Sequence, residues 1–596
     1  MIKSIWLLLD SKERNSARFL LAMLALSALL DVVGVASLMP FMSVLSEPGV
    51  IYEKEFLIGL YNFFRCENES DFLILLGVLV FLATITSLVF KTLATFFQFN
   101  FTFKREHSIG ARFLKGYLGQ EYHWLISRNT SVLGKTILSE VNQVIHQALI
   151  PLINLYSRVM VSAALIVFLF CVDPILSTIS ALSLGLTYLM IFFVFKTFLK
   201  KIGEEKFRAN EDRFFAVGEA FSAIKEIKVG AFESLYVDRF SSASRVFASH
   251  QAMAMSIAQI PRFLLEAIAF GGMILVIIYL LSIGTLSEAL PIIAIYALAG
   301  YKLIPALQQI YGSVSQIQFA KASVNSMLSQ LRDLEVRLAG VRNSLDKIVT
   351  TSSFGVTVEG AWYKYPGSEF DVLKGVDITV GSAEVVALVG KSGSGKTTLI
   401  DVILGLLSAD QGNVYIGDAR INTLDPSYLR KAVSFVPQEI AILDRSVSQN
   451  IAFGLPDDEI DLERVMFASK MAGLANFIEN ELDGGYDANV GEKGGRLSGG
   501  QRQRLGIARA LYTQPKILIL DEATSALDNI TERNVMKEIH NLGCSVIMIT
   551  HNLETVRVAD RIYVINNGIV EASGSFLELR ETCESFQIMI NEKKPS

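Results

Sequence analysis

The stretch GKSGSGKTT runs from Gly390 to Thr398, between the apolar run AEVVALV and the helix-like run LIDVILGLL. Gly390, Gly395, Lys396 and Thr397 satisfy the spacing G-x-x-x-x-G-K-[ST], with Lys391, Ser392, Gly393 and Ser394 between them and Thr398 after. A strand, a glycine-rich turn and a helix start in that order cradle phosphates. Backbone N–H groups face phosphate oxygens, Lys396 reaches the outer phosphates and Thr397 offers its hydroxyl to Mg²⁺. Farther on, KILILDEATSALD (Lys516 to Asp528) is an apolar strand ending in two carboxylates. Asp521, at the strand end, suits a water-mediated hold on Mg²⁺, and Glu522 suits orientation or polarisation of an attacking water. ATP and Mg²⁺ are the expected cofactors.

These residues need an α/β frame, and from about Thr351 the chain alternates strand-like and helix-like runs with glycine turns. The first half is of another kind. At 596 residues, 51% hydrophobic and mean hydropathy +0.41, the chain exceeds one soluble domain. Six runs are long enough to cross a bilayer, roughly 19–45, 72–98, 147–172, 174–198, 259–282 and 286–312. Residues 1–19 carry charges throughout, which speaks against a cleaved signal peptide. Basic residues crowd the connections after the second run (Lys104 to Lys135) and the fourth (Lys196 to Lys228). The opposite connections hold only Lys54 and Arg65. Both termini, both long loops and the nucleotide domain are therefore expected in the cytoplasm.

Those long loops read as helical extensions of the spans, with tips near Tyr122–Asn129 and Val229–Tyr236 that are expected to touch a second domain. In the first outer loop, Phe56, Leu57, Leu60, Tyr61 and Phe64 lie at helical spacing, as in a short interfacial helix. The expected domains are 1–335 for the membrane part, 336–350 for a linker and 351–596 for nucleotide binding. A net charge of −5 leaves no global basic excess, so nucleic acid is not an expected partner, and four cysteines without pairing or metal spacing point to neither disulfides nor zinc.

LSGGQRQR, Leu497 to Arg504, lies between the phosphate loop and the acidic strand. With Tyr365 in YKYPG, Gln438 in FVPQE, Asp528 in SALD and His551 in MITHN, it resembles the ABC transporter ATPase family over about 354–575. The resemblance implies that Tyr365 stacks on adenine and that Gln438 senses Mg²⁺ and the attacking water. It implies that Ser498, Gly499 and Gly500, with Gln501 beside them, bind the γ-phosphate held by a partner subunit, and that His551 contacts γ-phosphate beside Glu522. One intact copy of each motif then favours a homodimer with two competent sites, a heterodimer being the alternative. The fold class expected is an all-α six-helix transmembrane exporter domain followed by an α/β P-loop ABC ATPase domain.

Six spans followed by one ATPase domain resemble the half-transporter exporter layout. LMPFMSVLS (Leu38 to Ser46), IPRFLLEAIAF (Ile260 to Phe270), YKLIP (Tyr301 to Pro305) and the short outer-loop helix resemble the bacterial lipid-linked oligosaccharide flippases of protein N-glycosylation. The implied substrate is a polyprenyl-pyrophosphate oligosaccharide in a bacterial cytoplasmic membrane. Charges inside the spans bear on this independently. Lys91, Arg262 and Lys302 lie in runs two, five and six, each roughly 25–29 Å from the outer end of its helix at about 1.5 Å per residue. Facing hydrocarbon, the three would together cost roughly 8–10 kcal/mol. They must line an aqueous cavity, as a cationic layer for an anionic headgroup, or pair with Asp31 and Glu266 about a turn further out. Another lipid, a polysaccharide precursor, a peptide or a hydrophobic drug are alternative cargoes, and an ATP-gated channel or sensor is an alternative class. A soluble ABC ATPase of repair or translation is excluded by the spans.

Overall fold

Helices far longer than a bilayer is thick make up the first half. In the computed structural model, which describes residues 2–283, 286–343, 354–424 and 426–592, the helices Glu69–Leu118, Pro174–Ser222 and Glu233–Ile283 have 50, 49 and 51 residues. At about 1.5 Å per residue each reaches about 75 Å, more than twice a hydrocarbon core. The stretch Thr130–Val172 is also continuously helical, but two π-helical turns, Thr136–Glu140 and Ile145–Leu149, interrupt its α-helical register. Five helices among the described residues are long and apolar enough to cross a membrane: Ser11–Ser46, Glu69–Leu118, Thr130–Val172, Ser177–Ser222 and Glu233–Gly272. The sixth expected run, 286–312, falls on helix Leu286–Phe319; the side chains of 286–295 lie outside the described residues.

The loops read as helical are helical. Tyr122–Ile126 is a one-turn helix, and Ile224–Gly230 is followed by Ala231 at φ 53°, which turns the chain into Glu233–Ile283. The outer-loop helix spans Glu55–Phe63. Leu57 is buried among Val44, Ile51, Phe72 and Leu76, with Leu60 and Tyr61 packed against that cluster, while Phe56 and Phe63 point outward. Its inner face therefore packs on its own chain.

The chain divides into two compact units, Met1–Gln120 with Leu125–Leu338, and Glu121–Trp124 with Ala339–Ser596. Helix Lys321–Asn343 runs through the first part of the expected linker, and 344–353 lie outside the described residues. In the second unit a six-stranded sheet has the order Ile569–Gly574, Arg561–Asn566, Val385–Val389, Ser545–Ile549, Ile517–Asp521, Val433–Val436. All its pairings are parallel except the first, which is an antiparallel hairpin. The three central strands are buried along their whole length, as strands covered on both faces must be. A smaller antiparallel sheet is formed by Leu373–Val380, Val356–Tyr363, Gln411–Ile416 and Ala419–Arg420.

Candidate functional site: a phosphate loop facing two carboxylates

The phosphate loop leaves the C-terminal end of strand Val385–Val389 and enters helix Lys396–Ile403, where an open parallel sheet places its ligands. Two glycines are fixed by geometry. A Cβ on Gly390 would lie 2.2 Å from the carbonyl oxygen of Ile565 and 2.8 Å from Ser394 Oγ. Gly395, with φ 103°, occupies the position before the helix where a side chain is disfavoured.

Lys396 is buried, and its ammonium donates to the carbonyls of Gly390 and Lys391, both at 2.9 Å. Burial pulls its pKa down and the charges of Glu522 and Asp521 oppose that pull. Ser394 Oγ is buried without a hydrogen-bond partner among the described residues. An ammonium resting on loop carbonyls, an unsatisfied hydroxyl and helix N–H groups at one strand-to-helix turn fit an anion of phosphate type.

Asp521 ends strand Ile517–Asp521 and is bonded to the Thr397 side chain, bringing together the two residues expected at Mg²⁺. Burial raises its pKa, the neighbouring Glu522 adds to the rise, and Thr397 and Lys396 oppose it. A divalent cation between these two oxygens would relieve that burden, so the donor set fits Mg²⁺.

Glu522 turns sharply out of the strand with φ 49°. One carboxylate oxygen accepts from Gln438 Nε2 at 2.9 Å, and the other lies 2.9 Å from His551 Nε2. Three residues from separate segments of sequence thus meet at one carboxylate. Tyr365 packs edge-on against Tyr363 at 5.1 Å between ring centroids, and its hydroxyl is 3.1 Å from Thr398 Oγ1.

The signature residues form a second group. Ser498 caps helix Gly499–Tyr512 in a capping box whose bonds close on Gln501: Gln501 N donates to Ser498 Oγ at 3.2 Å, and Ser498 N donates to Gln501 Oε1 at 2.7 Å. Gly499 and Gly500 are the first residues of that helix, and a Cβ on Gly500 would lie 3.0 Å from Ala526 O.

In the membrane unit, both Lys91 and Lys302 reach Asp31, at 3.4 and 3.3 Å, and Ser87 Oγ donates to the same carboxylate at 3.0 Å. Arg262 is not part of this group. It pairs with Glu266 at 2.8 Å across one helical turn. Sequence reading missed Arg158, which lies within electrostatic reach of Asp31. It was findable as the only formal charge in run 147–172.

The family model for ABC transporters matches residues 373–525. The chain is 30% identical to the heterocyst differentiation ATP-binding protein HepA of Nostoc sp. over 462 residues, 75% of this chain and 72% of that one. It is also 30% identical to the ATP-dependent lipid A-core flippase of Ralstonia nicotianae over 459 residues, 76% of each chain. The chain belongs to the ABC transporter family. This ABC transporter also shares 33% identity over 407 residues with the exotoxin translocation ATP-binding protein PaxB of Pasteurella aerogenes, 66% of this chain but 55% of that one. It therefore spans about half the length of the toxin-translocation relatives it matches. The transporter's fold matches a bacterial Atm1-family ABC exporter solved with ATP bound, with TM-score 0.79 and 21% identity, over 98% of this chain and 100% of that one. The helical membrane-type unit followed by an α/β ABC ATPase unit is thus the exporter fold.

Proposed function

We propose that this ABC transporter is an ATP-driven flippase that moves a polyprenyl-pyrophosphate-linked oligosaccharide from the inner to the outer leaflet of a bacterial cytoplasmic membrane. It works as a homodimer with the ATPase domains in the cytoplasm. The observation that carries the substrate is the charge around Asp31: Lys91 and Lys302 both pair with one carboxylate, and Arg158 lies within its electrostatic reach, an excess of positive charge inside the spans. Uncompensated charge at that depth is costly unless an anionic ligand or water shares it. A lipid-transporting relative supports the same class of cargo.

At the ATP site, Lys396 exchanges the carbonyls of Gly390 and Lys391 for the outer phosphates, and the N–H groups of the loop and helix start bind the rest. Thr397, Asp521 and Gln438 are the residues that would hold Mg²⁺. Mg²⁺, when bound, supplies neutralisation of the phosphate charge that develops during transfer. Tyr365 flanks the adenine. Glu522, held by Gln438 and His551, orients the attacking water and takes its proton as the water oxygen bonds to the γ-phosphorus and the bond to the bridging oxygen of the departing ADP breaks. A second copy completes the site with its own helix start at Ser498–Gly500, whose N–H groups point at the γ-phosphate. ATP joins the two domains, their closure is passed to the spans, and hydrolysis resets them.

The test uses purified protein in sealed liposomes with a labelled polyprenyl-pyrophosphate glycan. ATP-dependent loss of the glycan from the ATPase-side leaflet, absent in Glu522→Gln, is the expected result. Hydrolysis with no glycan movement would discard this cargo and favour a peptide, the reading supported by the toxin-translocation relatives. Neither movement nor cargo-stimulated hydrolysis would favour a gated channel or sensor.

A further inference from the structure

Glu522 holds a backbone conformation that residues with a Cβ disfavour, so its neighbours must impose it. Its N–H donates to Ile549 O at 3.0 Å. The segment after it is gripped from the signature helix by buried Gln503, which accepts from Ala526 N at 2.7 Å and donates to Ser525 Oγ at 2.9 Å.

The opposite grip is Glu532, in helix Asn529–Asn541 and only 3% exposed. Its Oε1 accepts from Thr524 Oγ1 at 2.6 Å and from Thr555 Oγ1, and its Oε2 accepts from Asn552 Nδ2. No ion pair to Glu532 forms among the described residues. A buried carboxylate without a counter-ion is costly unless donors surround it, and here three neutral donors do so. Those donors come from two places. Thr524 follows Glu522 by two residues, whereas Asn552 and Thr555 follow His551 directly and by one helical turn. One carboxylate therefore ties together the two segments whose first residues, Glu522 and His551, meet at 2.9 Å.

We infer that Glu532 is a positioning residue for hydrolysis, fixing the approach of Glu522 to His551 through Thr524 and Asn552 without touching nucleotide or water. The inference rests on the hydrolytic role of Glu522 proposed above. A small misplacement of a reacting group is expensive in rate, whereas nucleotide affinity depends on the phosphate loop, which Glu532 does not hold.

The hydrogen-bond directions supply the test in the full chain. Glu532→Gln removes the charge and turns an N–H₂ toward either Asn552 Nδ2 or the two threonine hydroxyls, and Asn552→Asp turns a second carboxylate toward Glu532. The double variant restores one donor and one acceptor while leaving the cap on Glu554 N in place. Each single change should lower kcat for ATP by about 10–100-fold, with KM moving less than about threefold. The double should recover to within about threefold of wild type. Amide hydrogen exchange over 523–528 and 551–555 in nucleotide-free protein should quicken in the singles and return in the double. Unchanged kcat and exchange in the singles would overturn the inference, as would a folded double variant that recovers neither. Should a single fail to fold, Thr524→Val removes one arm alone and must still lower kcat without raising KM. A wild type that hydrolyses no ATP would refute the proposed function, while the exchange measurements would still decide whether Glu532 ties the two segments.

Discussion

Both oxygens of the Glu522 carboxylate are engaged, one by the Gln438 amide and one by the His551 imidazole. A glutamine at 522 keeps the shape but turns an N–H₂ toward one of these donors and removes the proton acceptor. Glu522→Gln should therefore lower kcat by about 10²–10⁴ and leave binding of a fluorescent ATP analogue intact. Asp401, in the helix after the phosphate loop, offers a pH test. Burial, with the Asp521 charge adding to it, pushes its pKa from the ordinary 3.8 up to about 6. An acid whose folded pKa lies above its unfolded value binds its proton more tightly when folded, so its contribution is full below about 4 and is lost as pH rises through about 6. Asp401→Asn should then stabilise the ATPase unit at pH 7.5 by on the order of 1–2 kcal/mol, with the gain vanishing near pH 4 in thermal scans of the full chain. Residues of the phosphate loop and acidic strand were legible because each motif is contiguous. Glu532 was not, because its partners lie 8, 20 and 23 residues away, and only the fold makes them neighbours.

The strand, loop and helix around Gly390 test whether the loop is built by the sheet behind it. Gly390→Ala puts a methyl 2.2 Å from the backbone oxygen of Ile565 in the neighbouring strand, which has no flexible end to move. The substitution should cost roughly 1–3 kcal/mol and abolish nucleotide binding, read as a lowered melting temperature that ATP no longer raises. In the membrane unit, apolar windows located the spans, since about 20 apolar residues are needed to cross a bilayer. Polar extensions such as EEKFRANEDRFFAVGEAFSAIKEIKVG, 204–230, were legible as helical because they hold few prolines or glycines. The two π-helical turns were not. They accompany packing that no window sees: Lys135, buried, pairs with buried Glu140 at 2.8 Å and with Glu211 at 3.3 Å.

For the molecule as a whole, the proposed cargo rests on charges that four helices bring to one carboxylate, Asp31. Lys91, Arg262 and Lys302 were grouped by depth alone, a coordinate that helical rise supplies without neighbours. Packing divides them. Arg262 is neutralised within its own helix by Glu266, whereas Lys91 and Lys302 converge on Asp31 with Arg158 nearby. If the excess charge at Asp31 binds a pyrophosphate, removing one cation weakens an interaction with a dianionic group without touching the ATPase unit. Arg158→Gln and Lys302→Ala should then each raise the glycan concentration for half-maximal flipping by about tenfold or more, in line with 1.5–3 kcal/mol for a hydrogen bond to a charged group. Arg262→Ala should change it less than about threefold, because a partly exposed pair across one helical turn contributes little. Equal effects from all three would restore the single cationic layer suggested by depth, and no effect from any would move the headgroup site away from Asp31 altogether.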